Sequence, residues 1–173
     1  MGRKSFKAYF DGSYRPIEKC ACIGGFILDP KGKVVCKFSR RMPDIYDSNI
    51  VEYFALLEIL KYIKKFKIKN VIIYGDNKNV VDQIYGSSKV NNNHYNAYKK
   101  TISLFSKIPN CKIIWKKRKH NGRADKLSKS FKNKEVVDDK YKINNNFKLS
   151  YQLDENTKTR ISDIYLLDKQ IIT

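Results

Sequence analysis

Acidic side chains are scarce in this chain. Asp and Glu number 17 against 36 Lys and Arg, a net charge of +19 over 173 residues. A field of that sign favours a polyanionic partner such as nucleic acid over an anionic membrane. Other scarcities narrow the reading further. Cysteine occurs four times, at Cys20, Cys22, Cys36 and Cys111, without the paired CxxC spacing of a zinc site, so reduced core or flank thiols are expected. No run approaches the roughly 18 apolar residues that a membrane span needs, and MGRKSFKAYF lacks a signal-peptide core. A soluble, cytoplasmic protein with no membrane partner is therefore expected, and a monomer. Proline occurs four times and glycine eight, too few for a low-complexity or collagenous chain, and hydrophobic residues make up 42%. This is enough for one domain with a sizeable core.

The charge is unevenly spread. Residues 1–130 hold 28 basic and 10 acidic residues, whereas 131–173 hold 8 and 7. The body is the polyanion binder, and the natural division is 1–133 as a domain and 134–173 as a C-terminal extension packed on it.

Periodicity supplies the elements. SFKAYF (5–10) alternates and runs into Asp-Gly-Ser, a turn signal, so Asp11 is expected to end the first strand. ACIGGFILD (21–29), PKGK and VVCKF (34–38) read as a hairpin. NIVEYFALLEILKYIKKF, without Gly or Pro, reads as a long helix with Ser48 or Asn49 near its N-cap. VIIYG is a buried strand followed by a short helix capped by Asp76 or Asn77, HYNAYKKTISLFSK a further helix, CKIIWKK (111–117) a strand, and GRADKLSKSF a last helix. The order βββαβααβα gives an α/β fold with a mixed five-stranded sheet flanked by helices. In the extension, alternation at Phe147, Leu149, Tyr151 and Leu153 and an apolar stretch at 161–167 suggest an added strand and short helix or an interaction appendage.

Four acids of the body fall where strand ends and helix starts converge: Asp11, Glu52 in the first turn of the long helix, Asp76 and Asp125. Each has a structural reading. Asp76 or Asp125 can cap a helix, Glu52 can favour the positive end of its helix, and Asp11 can serve an Asp-Gly turn. Taken together they suit a divalent-cation site, because carboxylates this close raise one another's pKa unless a counter-charge is present. Hard oxygen donors suit Mg²⁺ or Mn²⁺, and a pair of such ions serves phosphodiester chemistry.

The stretches YFDGSYRP, IGGFILDPKGKVV, SNIVEYFALLEILKYIKKFKIKNVIIYGDNKNVVDQIYG and RKHNGRADKLSKS, in this order, resemble the ribonuclease H type 1 family in its bacterial and archaeal branch. The resemblance spans residues 5–130 and implies the ribonuclease H-like fold, with strand order 3-2-1-4-5, three antiparallel strands and then two parallel. It implies endonucleolytic cleavage of the RNA strand of an RNA/DNA hybrid with two Mg²⁺ ions, Mn²⁺ being a substitute. Asp11 would bridge both ions, Asp125 would help hold the ion that activates water, and Glu52 and Asp76 would hold the ion at the leaving oxygen. Substrate contacts are expected from Gly12 and Ser13, from Ser48 and Asn49, and from Asn77, Lys116, Lys117, Lys119 and Asn121. Trp115 stands where many members carry a mobile histidine. His120 is expected to be hydrogen-bonded or exposed, with an approach to the site from its loop left open, His94 is expected on the surface, and Lys89, Lys99 and Lys100 flank the place of the family's basic protrusion. Two other readings stay open: a nuclease of the same architecture acting on DNA or junctions, and a non-catalytic nucleic-acid-binding module.

Overall fold

The computed structural model describes residues 4–42 and 47–142. β1 (Phe6–Arg15), β2 (Cys20–Leu28) and β3 (Val34–Met42) form an antiparallel meander, followed by α1 (Ser48–Lys65) and β4 (Val71–Gly75). Then come α2 (Lys78–Ile84), α3 (Tyr95–Phe105), β5 (Cys111–Trp115), α4 (Gly122–Lys129), β6 (Lys134–Val137) and α5 (Asp139–Lys142). Short 3₁₀ turns at Asn92–His94 and Arg118–His120 precede α3 and α4.

The sheet order is β5-β4-β1-β2-β3-β6. β4 runs parallel to β1 and to β5, and the remaining pairs are antiparallel. The expected five-strand order is present, and a sixth strand is added outside β3. KEVV is too short and too polar to announce itself, but Val137 is buried while Val136 stays exposed, and Cys36–Ser39 supply the pairing edge. Residues 134–142 of the extension therefore lie on the outer edge of the sheet. The alternation at 147–153 and the apolar stretch at 161–167 lie outside the described residues.

Two strands are longer than their patterns suggest, β3 running on from residue 38 to Met42 and β1 from residue 10 to Arg15. β1 carries on through Asp-Gly-Ser to Arg15, because Gly12, Ser13 and Tyr14 find ladder partners in Ile23, Cys22 and Ala21. Asp11 is thus an interior strand residue, not a strand end. Long-range pairing has overridden local turn chemistry.

α1 is the centre of the core. Tyr53, Leu56, Ile59, Leu60 and Ile63 are all fully buried, against Ala8 and Phe10 of β1 and Ile23 and Ile27 of β2. Its N-cap is Asp47, not Ser48 or Asn49: the carboxylate accepts from Asn49 N at 2.7 Å and Ile50 N at 3.2 Å. Glu52 therefore falls just beyond the first turn, which holds no acid. His94, expected on the surface, is 4% exposed, with Nε2 2.8 Å from the Asp47 carboxylate. Burial pushes the Asp47 carboxyl up, but His94 and the two backbone amides outweigh it and hold the group below its ordinary value. The four cysteines are free. Among the described residues no helix is long and apolar enough to cross a membrane.

Candidate metal centre and active site

The alternation of β1 sends Tyr9 and Asp11 to one face of the sheet and Ala8 and Phe10 to the other, under α1. β4 pairs in parallel with β1 in the register Tyr9↔Tyr74, so Asp76, one residue beyond β4, reaches the level of Asp11. Glu52 comes from α1, whose start lies hard against β1. A Cβ on Gly12 would sit 2.7 Å from the Val51 carbonyl carbon and 2.8 Å from Glu52 N, so only glycine lets the helix approach this closely. A second close approach fixes α4, since a Cβ on Gly24 would lie 2.4 Å from Ser128 N.

The outcome is a cluster in which Asp11, Glu52 and Asp76 offer carboxylate oxygens that all lie within 4.8 Å of one another. Asp11 and Glu52 are buried, at 3% and 6% exposure, and Asp76 is half-buried. Glu52 Oε2 and Asp76 Oδ2 are buried with no hydrogen-bond partner. Capping does not occupy Asp76, because Asn77 Oδ1 caps α2 by accepting from Val80 N at 3.1 Å.

The electrostatics record the strain of this arrangement. Burial pushes the Asp11 carboxyl up to about 6, against a hydrogen bond from Ser128, and repulsion from Asp76 and Asp125 adds to the rise. Burial raises Glu52 well above the usual carboxylate range, with Asp11 and Asp76 repelling it and the Gly12 amide opposing. Asp76 is raised by burial, the neighbouring Asn121 amide and Arg118 pulling the other way. Hard oxygen donors with unpaired lone pairs, held together at an electrostatic cost, fit a Mg²⁺-type cation.

The fourth acid behaves differently. Asp125 lies in the first turn of α4, near Asp11 and Asp76 but outside the three-carboxylate group. Arg118 Nη2 at 2.9 Å and Lys129 Nζ at 2.8 Å hold its carboxylate. Burial pushes Asp125 up, yet these two cations prevail and keep it below its ordinary value.

The expected substrate contacts divide by position. Ser48 is exposed at the start of α1, and Asn49 Oδ1 accepts from Asn77 Nδ2 at 3.1 Å, so these two amides form one ledge beside the carboxylates. Gly12 faces Glu52 through its amide, and Ser13 is half-buried in β1. Lys117 and Lys119 are exposed, whereas Lys116 packs its ammonium 4.3 Å from the Tyr74 ring centroid. Asn121 is 1% exposed and donates from Nδ2 to Phe10 O at 3.0 Å, tying the start of α4 to β1. Trp115 donates from Nε1 to Asp76 O, and His120 is exposed. Sequence reasoning missed Ser128, Arg118, Lys129 and the Asp47–His94 pair. Ser128 and Lys129, three and four residues beyond Asp125, were within reach of a helical-face argument.

A family model described as reverse transcriptase-like matches residues 9–131. The chain belongs to the ribonuclease H family. Ribonuclease H1 of Halobacterium salinarum NRC-1 superposes with a TM-score of 0.69 at 24% identity, covering 73% of this chain and 96% of that one. LC11-RNase H1 in complex with an RNA/DNA hybrid gives 0.64 at 27% identity, covering 71% and 93%. The N-terminal RNase H domain of a Mycobacterium tuberculosis protein gives 0.65 at 23%, covering 72% and 95%. The ribonuclease H fold thus accounts for the five-strand order β5-β4-β1-β2-β3.

Proposed function

We propose that this ribonuclease H family member is a metal-dependent endonuclease that hydrolyses the RNA strand of RNA/DNA hybrids. The observation that carries the reading is the group of three converging carboxylates, two of them with a buried unpaired oxygen, set in a body that is otherwise strongly basic. A pure binder of phosphates gains nothing from clustered negative charge beside them. Family membership supports a nuclease, and the hybrid in the LC11-RNase H1 complex supports the substrate.

Asp11, Glu52, Asp76 and Asp125 are the residues that would hold two Mg²⁺ ions, with Mn²⁺ as a substitute. A divalent pair in such a site supplies activation of a water nucleophile and neutralisation of charge on the phosphodiester. The protein's own contribution is positional. Ser128 orients the Asp11 carboxyl by donating to it, and Arg118 and Lys129 keep Asp125 ionised close by. The Asn49–Asn77 ledge with Ser48, and the backbone at Gly12 and Ser13, present donors and acceptors to the ribose 2′-hydroxyls that mark the RNA strand. Lys116, Lys117 and Lys119 meet the phosphate backbone, giving binding that weakens with salt, while the buried Asn121 serves by tying the start of α4 to β1. The protein acts as a cytoplasmic monomer in this reading, which light scattering and cell fractionation check.

Matched RNA/DNA, RNA/RNA and DNA/DNA duplexes, incubated with Mg²⁺ and then with EDTA, test the proposal. Cleavage of the hybrid's RNA strand alone, abolished by EDTA, is expected. Cutting of DNA duplexes would replace the proposal with a DNA nuclease, and no cutting anywhere would leave a binding module.

A further inference from the structure

The starts of α1, α2 and α3 are joined by one chain of side-chain hydrogen bonds. Asp47 divides its carboxylate between two tasks. Oδ1 accepts from Asn49 N and Ile50 N and so caps α1, while Oδ2 lies 2.8 Å from His94 Nε2 in the turn that opens α3. Asn49 in turn accepts from Asn77 Nδ2 at 3.1 Å, and Asn77 Oδ1 caps α2. Ser48 and Asn49 are thus held from two sides, by α2 through Asn77 and by the α3 turn through His94.

The turn fixes where the imidazole stands. His94 N donates to Asn91 O at 2.9 Å, and the Asn91 side chain accepts from Asn93 N at 3.2 Å. The imidazole is a poor filler for this place. An ionised carboxylate only accepts, so Nε2 is the donor, and the buried Nδ1 has no hydrogen-bond partner among the described residues. A ring that is 4% exposed with one nitrogen unpaired is worse packing than an apolar side chain of similar volume. The N–H directed at Asp47 accounts for a histidine here, and packing does not. Hydrogen bonds to a charged acceptor are the stronger kind, and a side chain gripped at both oxygens is locked in one rotamer.

We propose that His94 is a positioning residue for recognition of the RNA strand: through Asp47 it fixes the start of α1, so that Ser48 and the Asn49–Asn77 ledge are set to meet a ribose 2′-hydroxyl. This rests on the hybrid-nuclease reading, which places those residues against the RNA. His94 itself touches no substrate. Its effect falls on the discrimination between ribose and deoxyribose, because the lysines that meet phosphate lie on other elements.

The test uses the full chain in EDTA, where binding is read without cleavage. Fluorescence anisotropy gives the affinity for a labelled RNA/DNA hybrid and for the DNA/DNA duplex of the same sequence. His94→Met fills the space without a donor, His94→Gln restores an N–H, and Asp47→Ser keeps a capping oxygen but drops the partner of His94. The ratio of hybrid to DNA affinity, in which the change of overall charge cancels, is expected to fall about tenfold in His94→Met and in Asp47→Ser and to return to within about threefold in His94→Gln. A purely structural role would move the melting temperature and leave this ratio alone. Melting curves report folding, and if His94→Met fails to fold, Asp47→Ser decides. An unchanged ratio in a folded variant lacking the contact, or a His94→Gln as impaired as His94→Met, would overturn the proposal. An unmodified chain that prefers the hybrid but does not cleave it in Mg²⁺ would overturn the nuclease reading alone, whereas one with no preference for the hybrid would overturn both.

Discussion

Replacing Asp11 with Asn should make the metal-free protein more stable at neutral pH. The Asp11 carboxyl is 3% exposed, and its pKa rises from 3.8 to about 6 on folding. A carboxyl with a raised native pKa binds more protons in the folded than in the unfolded state between these values. Stability therefore falls as pH rises through that window and stays low above it. At about 1.36 kcal/mol per unit, a rise of roughly two units corresponds to about 3 kcal/mol of destabilisation at neutral pH. Asn carries no charge, and its amide oxygen can still accept from Ser128, so about 1 kcal/mol is set aside for a less favourable hydrogen bond. The remaining gain of about 2 kcal/mol corresponds to a melting temperature higher by about 4–8 °C for a chain of this size. Circular-dichroism melts in EDTA at about pH 7.5 and about pH 4 check this, the gain being full at the first and mostly lost at the second, where Asp11 is protonated in the folded state and close to half protonated in the unfolded one. Mg²⁺ should then raise the wild type more than the variant, by binding only the native cluster. A variant no more stable than wild type at neutral pH, or a gain independent of pH, would refute the reasoning.

Three other outcomes follow from the packing and ion pairs. Gly12→Ala drives a methyl into the Val51 and Glu52 backbone, and should cost about 1–3 kcal/mol in a denaturant melt and depress hybrid cleavage by displacing Glu52. Glu58→Ala removes the carboxylate that the buried Arg40 guanidinium meets at 3.0 Å, and should cost about 1–3 kcal/mol by the same measurement. Lys129→Met removes one of the two cations on Asp125, so a carboxyl-detected NMR titration should show the Asp125 pKa moving upward toward its ordinary value.

The fold was legible because most elements carry their own period. α1 has no Gly or Pro and a fully buried face, and β4 is an apolar run closed by Gly75 and Asp76. What escaped depends on contacts far apart in sequence. Asp-Gly-Ser looks like a turn until β2 pairs with it, and His94 sits in a polar link that looks exposed until Asp47 takes its imidazole. The candidate site was legible as four acids at converging termini, but not the division among them. Three carboxylates face one another, while Asp125 is held by cations whose reach depends on where Gly24 lets α4 settle. Ser128 is invisible as a site residue for the same reason, since it meets β1 only through the docking of α4, and the same docking turns Asn121, expected as a substrate contact, into a buried tie to Phe10 O.

Cleavage of a matched RNA/DNA hybrid in Mg²⁺ by the wild type, Asp11→Asn and Asp76→Asn, with folding verified for each, tests the central claim most directly. The carboxylate cluster predicts metal-dependent cutting of the RNA strand by the wild type and its loss in both folded variants. Cutting by either variant at a rate near that of the wild type would contradict it.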